Sequence, residues 1–125
     1  MTGVVQVAQR AVDLDRARDF YTALLGSGPV AQFRPPGLVF FDLDGVRLLL
    51  EEGAPSALIY LRVSDLDEVV ERCRRDGVAV VTEPHVIFSH TDDTLGPRGT
   101  DEWMAFVTDS EGNTVGLVSH RPSAG

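Results

Sequence analysis

Histidine and glutamate are the residue types in this sequence best suited to moving a proton. His85 follows Glu83 and Pro84 just before a long polar stretch, and an imidazole titrates near neutral pH without special tuning. Glu51 ends an apolar run and would serve as an acid or base if it were buried. We take His85 and Glu51 as the candidate catalytic residues. The alternative for each is an ordinary hydrogen-bonded or solvated residue at the end of a strand.

The remaining histidines and the cysteine carry weaker signals. His90 lies in the polar segment 89–93 and could join a metal site with one of its aspartates, but solvated loop polarity explains the same pattern. His120 lies near the C-terminus on the last predicted strand, is expected to be exposed and is assigned no role. Cys73 is the single cysteine, so an internal disulfide is excluded, and its place in a helix indicates core packing rather than a nucleophile.

Composition narrows the class of partner. The net charge is −8, from 19 acidic and 11 basic residues, which argues against nucleic acid because phosphate binding needs a basic face. All the basic residues are arginines, so Schiff-base chemistry is excluded. No apolar run is long enough to cross a membrane and the N-terminus lacks a signal-peptide pattern, so we expect a cytoplasmic protein without a membrane partner.

A repeat organises the chain. The segments 11–15 (AVDLD) and 63–67 (VSDLD) match with an offset of 52 positions, from Asp13 to Asp65. A period of this size indicates duplicated supersecondary units. The sequence therefore predicts one domain over 1–125, built from module one (1–53) and module two (54–121).

Hydrophobic periodicity predicts the same element order in both modules: strand, helix, three strands. Asp13 and Asp65 are the expected helix N-caps, and Gly26 and Gly77 the expected stops. Module one is predicted as strand 4–12, helix 13–26, strand 30–33 and hairpin 38–43/46–51. Module two is predicted as strand 57–63, helix 66–76, strand 78–86, a long loop 89–100, and strands 103–107 and 115–118 about the turn 108–114.

Three stretches of this sequence carry a resemblance to a known family. The segments 13–26 (DLDRARDFYTALLG), 65–67 (DLD) and 106–113 (FVTDSEGN) resemble the vicinal oxygen chelate superfamily, the group of glyoxalases, bleomycin-resistance proteins and extradiol dioxygenases. The resemblance implies an α+β fold in which two βαβββ modules have curled mixed sheets that form a cleft. It also implies a homodimer.

The resemblance further implies where a metal would bind. Members that use a metal take its ligands from the first and last strand of each module. In this chain those positions fall at Gln6, Leu49, Leu58 and Gly116, of which only Gln6 has a donor side chain. A stable divalent site needs three or four donors, so we expect no metal at this centre and no cofactor.

Strand alternation predicts which side chains share the face opposite the helices. Arg10 and Arg62 are equivalent in the repeat and suit an anionic ligand, although surface charges would give the same pattern. Tyr60 and Trp103 combine contact area with a polar tip, but for Trp103 a core position is the favoured alternative. The predicted substrate-binding residues are Gln6, Arg10, Arg47, Leu49, Leu58, Tyr60, Arg62, Trp103 and Gly116.

These features favour a metal-independent glyoxalase-like protein that binds a small organic molecule in its cleft. The associated chemistry would be proton transfer of the isomerase, lyase or cyclase type. The alternative is a drug- or antibiotic-sequestering protein of the resistance type without catalysis, and a structural dimer without ligand is a third class. The sequence leaves enzyme and binder open.

Overall fold

The computed structural model describes residues 1–124, and in it the predicted element order occurs twice. Strand, helix and three strands follow one another in each half, which confirms the α+β class and the βαβββ modules. The elements are β1 (Gln6–Arg10), α1 (Leu14–Leu25), β2 (Ala31–Phe33), β3 (Leu38–Leu43), β4 (Val46–Glu51), β5 (Ile59–Arg62), α2 (Leu66–Arg75), β6 (Val80–Ser89), β7 (Thr100–Thr108) and β8 (Thr114–Pro122).

Two open, mixed sheets repeat one topology. The first has the order β1-β4-β3-β2 and the second β5-β8-β7-β6. In each sheet the first and last strands of the module pair in parallel, with Ala8 opposite Leu49 and Tyr60 opposite Gly116. These pairs occupy equivalent positions in the repeat, as the duplication predicts. A cleft formed by the two sheets stays a prediction.

The chain divides into two compact units. The first comprises residues 1–57 together with the turn 109–113, and the second comprises residues 58–108 and the chain from 114 onward. The turn between β7 and β8 therefore belongs to the first unit, although its flanking strands belong to the second. Neither helix in the described part of the chain is long and apolar enough to span a bilayer.

The first unit buries the inner face of α1 on its sheet. Asp13 caps the helix by accepting a hydrogen bond from the Arg16 N–H, and Gly26 ends it in a left-handed conformation, as predicted. Tyr21 is fully buried and contacts the Phe41 ring.

Gln9 is a polar residue among these apolar ones, and it is fully buried with its side-chain amide hydrogen-bonded to Ala57. Its Nε2 donates to the Ala57 carbonyl at 2.7 Å and its Oε1 accepts from the Ala57 N–H at 2.8 Å.

The second unit buries α2 in the same way. Asp65 caps this helix through the Glu68 N–H. The predicted core position of Cys73 is confirmed, because its side chain is buried and burial raises the pKa of its thiol. The other buried apolar residues of this unit are Leu61, Leu66, Val69, Val70, Ala105, Val107, Val115 and Leu117.

Strands β6 and β7 extend further than the sequence predicts. Ser89 lies opposite Asp101, and the His90 N–H donates to the Thr100 carbonyl at 2.8 Å. The predicted loop of 89–100 therefore shortens to 90–99. On β7 the added residues at its start, Thr100, Asp101 and Glu102, are polar, so hydrophobic alternation does not predict them. Cross-strand pairing holds them in the sheet.

Candidate functional site

One face of the second sheet carries a cavity of about 370 Å³. The pairing of β5, β8 and β7 sets Arg62, Val118 and Met104 in one row across the sheet. The residues of the opposite face, such as Leu61 and Leu117, are buried. The lining residues are Tyr60, Arg62, Glu102, Met104, Val118 and His120.

A glycine beneath Tyr60 gives the cavity an aromatic wall. A Cβ added at Gly116 would lie 2.6 Å from Tyr60 Cδ2, so the ring approaches the backbone as only glycine permits. The edge of Phe106 meets the same ring, with centroids 5.9 Å apart. The Tyr60 residue still exposes 52% of its surface. Its ring is therefore positioned by neighbours on one side and open on the other.

Arg62 supplies positive charge to the cavity. It lies opposite Val118 at the end of β5. Among residues 1–124, no acidic side chain forms an ion pair with it. Its guanidinium is thus available to a ligand carboxylate or phosphate.

Two histidines and a glutamate lie close together beside the cavity. Glu102 and His120 line it, and His90 lies behind them outside the lining. The Nε2 atoms of His90 and His120 each lie 3.0 Å from the same oxygen, Oε1 of Glu102. Exposure of the side chains is 1% for His90, 17% for Glu102 and 24% for His120. We call these three residues the histidine–glutamate cluster.

The sequence did not predict this cluster. In the sequence His120 has no assigned role, His90 is open between a metal site with a neighbouring aspartate and solvated loop polarity, and Glu102 lies outside the predicted strand. The cross-strand register places Phe88, Glu102 and His120 in one row, and His90 follows two residues after Phe88. Glu102 and His120 are polar residues beside apolar strand residues, which was a signal in the sequence. Only the register of β7 and β8 shows that they lie opposite each other.

The two predicted catalytic residues lie in different units. His85 is exposed on β6, where its Nδ1 lies 2.8 Å from the Glu83 carbonyl. It lies opposite Met104 and therefore on the cavity's face of the sheet, but it does not line the cavity. Glu51 is half-buried at the end of β4 and lines a separate cavity of about 470 Å³ in the first unit.

Two predicted ligand contacts in the second unit do not line the cavity. Trp103 lies outside the lining because alternation along β7 turns it away from Glu102 and Met104, and its role in binding stays a prediction. The Arg121 guanidinium lies over its ring, 4.2 Å from the centroid. Leu58 precedes β5 and is exposed outside the cavity.

The predicted contacts of the first unit share one sheet face. Gln6 lies opposite Arg47, and its Oε1 accepts from Arg47 Nε at 3.0 Å. Arg10 lies opposite Glu51, while Leu49 is buried. These residues are available for binding by position, and their role stays a prediction.

The family model of the Glyoxalase/Bleomycin resistance protein/Dioxygenase superfamily matches residues 3–117. The chain belongs to this superfamily. No protein among the curated sequences matches it. The resemblance drawn from the segments 13–26, 65–67 and 106–113 is thereby confirmed.

Solved structures of the superfamily share the fold across nearly the whole chain. Lactoylglutathione lyase from Agrobacterium tumefaciens is 24% identical with a TM-score of 0.69, covering 95% of this chain and 94% of that one. TnmS3, an antibiotic binding protein from Streptomyces sp. CB03234, is 22% identical with a TM-score of 0.66, covering 98% of both chains. A superfamily member from Sphaerobacter thermophilus DSM 20745 is 20% identical with a TM-score of 0.70, covering 95% and 98%.

The residues at the superfamily's metal positions do not fit a metal. Leu49, Leu58 and Gly116 have no donor side chain. The Gln6 amide oxygen already accepts from Arg47, and the space above Gly116 holds the Tyr60 ring. One engaged amide cannot hold a divalent cation, which needs three or four donors.

Proposed function

We propose that this protein binds a small organic molecule in the cavity of its second unit, without a metal at the superfamily's usual position. The Tyr60 ring carries the proposal, because Gly116 and Phe106 fix one side of it and leave the other open. A preorganised aromatic surface beside a few polar groups is typical of ligand pockets.

The lining favours a flat apolar ligand with an anionic end. Tyr60, Met104 and Val118 offer apolar contact, and the unpaired Arg62 offers a fork for a carboxylate. The net charge of −8 favours cations at long range. Within the cavity, however, the single carboxylate of Glu102 is already hydrogen-bonded by both imidazoles. The charge that remains available to pair with a ligand is therefore the positive charge of Arg62.

A matched ligand panel tests this proposal. Aromatic acids, the corresponding amines and the neutral amides are compared by thermal shift and then by calorimetry. We expect the acids to bind best, and Tyr60→Ala and Arg62→Gln to weaken binding about tenfold or more, which is roughly 1.4 kcal/mol. Arg75→Gln, at the exposed end of α2, is the control and should bind as the parent does. Preference for the amines, or equal weakening by the control, would contradict the proposal.

Proton transfer is the second candidate function, favoured by the position of His85 on the cavity's face of the sheet. Once a ligand is found, His85→Ala should abolish its turnover while changing its affinity less than about tenfold. Absence of turnover by the parent protein, with equal loss of binding in the variant, would leave a sequestering binder. The related structures include both a lyase and an antibiotic-binding protein, so the fold favours neither outcome.

We also propose that two copies of the chain form a homodimer. The outer strand β6 supports this, because it pairs only with β7 among the described residues and leaves large apolar side chains exposed.

A further inference from the structure

We infer that His90, Glu102 and His120 form a binding site for a divalent transition-metal ion, within the second unit and separate from the superfamily's metal position. One donor atom from each residue lies within 4.8 Å of the other two. Glu102 Oε1 lies at the centre, 3.0 Å from both Nε2 atoms.

The donor set matches transition-metal chemistry. Two imidazoles and one carboxylate ligate zinc in sites that keep an open fourth position, and also ligate non-haem iron. With metal–ligand bonds of about 2.0–2.2 Å, tetrahedral donors lie roughly 3.3–3.6 Å apart. The two observed distances from the glutamate oxygen, 3.0 Å to each imidazole nitrogen, are shorter than this spacing by only a few tenths of an ångström.

Two paired strands and the first residue of the loop after β6 hold the ligands. Glu102 and His120 lie opposite each other on β7 and β8, and His90 directly follows β6. His90 is buried, and the Phe88 ring packs edge-on against it with centroids 4.9 Å apart. Paired strands position donor atoms more firmly than a loop does.

The backbone at Gly96 closes one side of the cluster. A Cβ at this residue would stand 2.9 Å from His90 Nε2 and 3.0 Å from His120 Nε2. Glu102 and His120 also line the cavity beside Tyr60. An ion held here would therefore have its open coordination position toward the cavity, where water or a ligand atom could complete the shell.

This site is distinct from the superfamily's usual centre. On β8 the usual position is Gly116, four residues before His120, and neither Gln6 nor Leu49 contributes. The inference goes beyond the proposed ligand binding, and metal titration needs no organic ligand, so either can fail alone.

A hydrogen-bonded clamp is the competing role for the same three residues. In that case Glu102 would fix the loop 90–99 by holding both imidazoles, and no ion would bind. The two roles differ in one measurable respect, because a clamp has no affinity for metal.

Titration with Co²⁺ separates the two roles. Full-length protein is stripped with a chelator, dialysed and titrated while visible absorption is recorded, and Zn²⁺ is then used as competitor. We expect one ion per chain and micromolar or tighter affinity. His120→Gln and Glu102→Gln should each weaken binding by about 100-fold or more, which exceeds the usual effect of losing an outer-shell partner. His85→Gln changes the one histidine outside the cluster and should bind as the parent does.

A second pair of variants perturbs the site without altering its ligands. Gly96→Ala places a methyl group against both imidazoles and should weaken Co²⁺ binding at least tenfold, whereas Gly28→Ala has nothing within 4 Å and should have no effect. Thermal unfolding without metal shows that the variants are folded. The inference is overturned by a folded parent protein that fails to bind Co²⁺ or Zn²⁺ below millimolar concentration. Equal weakening by His85→Gln also overturns it.

Discussion

Glu111 is a buried carboxylate surrounded by donors of the first unit. Its side chain is fully buried, and its oxygens accept from Asp13 N–H at 2.6 Å, Arg16 Nε at 2.8 Å and Ser110 Oγ at 2.7 Å. Burial by itself would raise its pKa, but these hydrogen bonds and the charge of Arg16 hold the pKa at about 2, below the ordinary 4.5. The ionised form is therefore the one that the fold stabilises.

Acid sensitivity follows from this depressed pKa. The stabilisation is fully present above pH 4.5 and is lost as pH falls from 4.5 toward 2, because the unfolded chain takes up the proton first. Glu111→Gln should lower the free energy of unfolding at pH 7 by about 2–3 kcal/mol and flatten its pH dependence below 4.5. Urea unfolding between pH 2 and 7 measures both effects. Glu52→Gln, an exposed control, should reproduce the parent curve, and a similar loss in this control would refute the assignment.

At the scale of elements, the turn 109–113 anchors α1. Asp109 is buried and accepts from the Tyr21 hydroxyl at 2.5 Å and from the Asn113 N–H at 2.8 Å. Asn113 in turn donates to the Arg10 carbonyl at 2.9 Å. The same turn thus fixes both the helix and the end of β1 within the first unit.

Removing one hydroxyl tests this anchor. Tyr21→Phe keeps the buried ring but deprives the Asp109 carboxylate of a donor, which should lower the free energy of unfolding by about 1.5–3 kcal/mol. Tyr60→Phe is the matched control, because Tyr60 is the only other tyrosine and is exposed. The control should stay within about 0.5 kcal/mol of the parent. Equal effects in chemical denaturation would show that the Tyr21–Asp109 contact adds no stability.

Signals between residues close in sequence were enough to predict the helices and one hairpin of this fold. Both helices, the N-caps Asp13 and Asp65 and the hairpin 38–43/46–51 follow from hydrophobic periodicity and turn residues, and the structure confirms them. The second helix ends at Arg75 with Asp76 as its C-cap, one residue before the predicted stop at Gly77. The partners of the turn 109–113 on α1 and β1 lie 88 to 103 positions away in sequence, where no local pattern reaches. The histidine–glutamate cluster likewise depends on how β6, β7 and β8 pair. Irregularities along β6 shift its register with β7 more than once. Strand alternation and the repeat therefore predicted Tyr60 and Arg62, which line the cavity, but not the cluster.

For the whole molecule, the second sheet presents an unusual outer strand. Exposure in β6 is 60% for Val81 and at least 43% for each of Val86, Ile87 and Phe88. Unpaired edge groups and exposed apolar side chains together favour association with another strand. The irregular register of β6 twists the strand locally, so a partner must match a particular shape.

The last prediction is therefore a homodimer that uses β6. Sedimentation equilibrium should give twice the chain mass at tens of micromolar, and Ile87→Lys should raise the dimer dissociation constant at least tenfold by placing a charge on the apolar edge. The control is Val4→Lys, which replaces another exposed apolar residue, located before β1. It should leave association unchanged. A parent protein that stays monomeric up to tens of micromolar would refute the dimer. A lysine ammonium buried between paired strands lowers the affinity of the dimer, because the charge loses its hydration. A dimer that tolerates Ile87→Lys as well as it tolerates Val4→Lys would therefore place the interface away from β6.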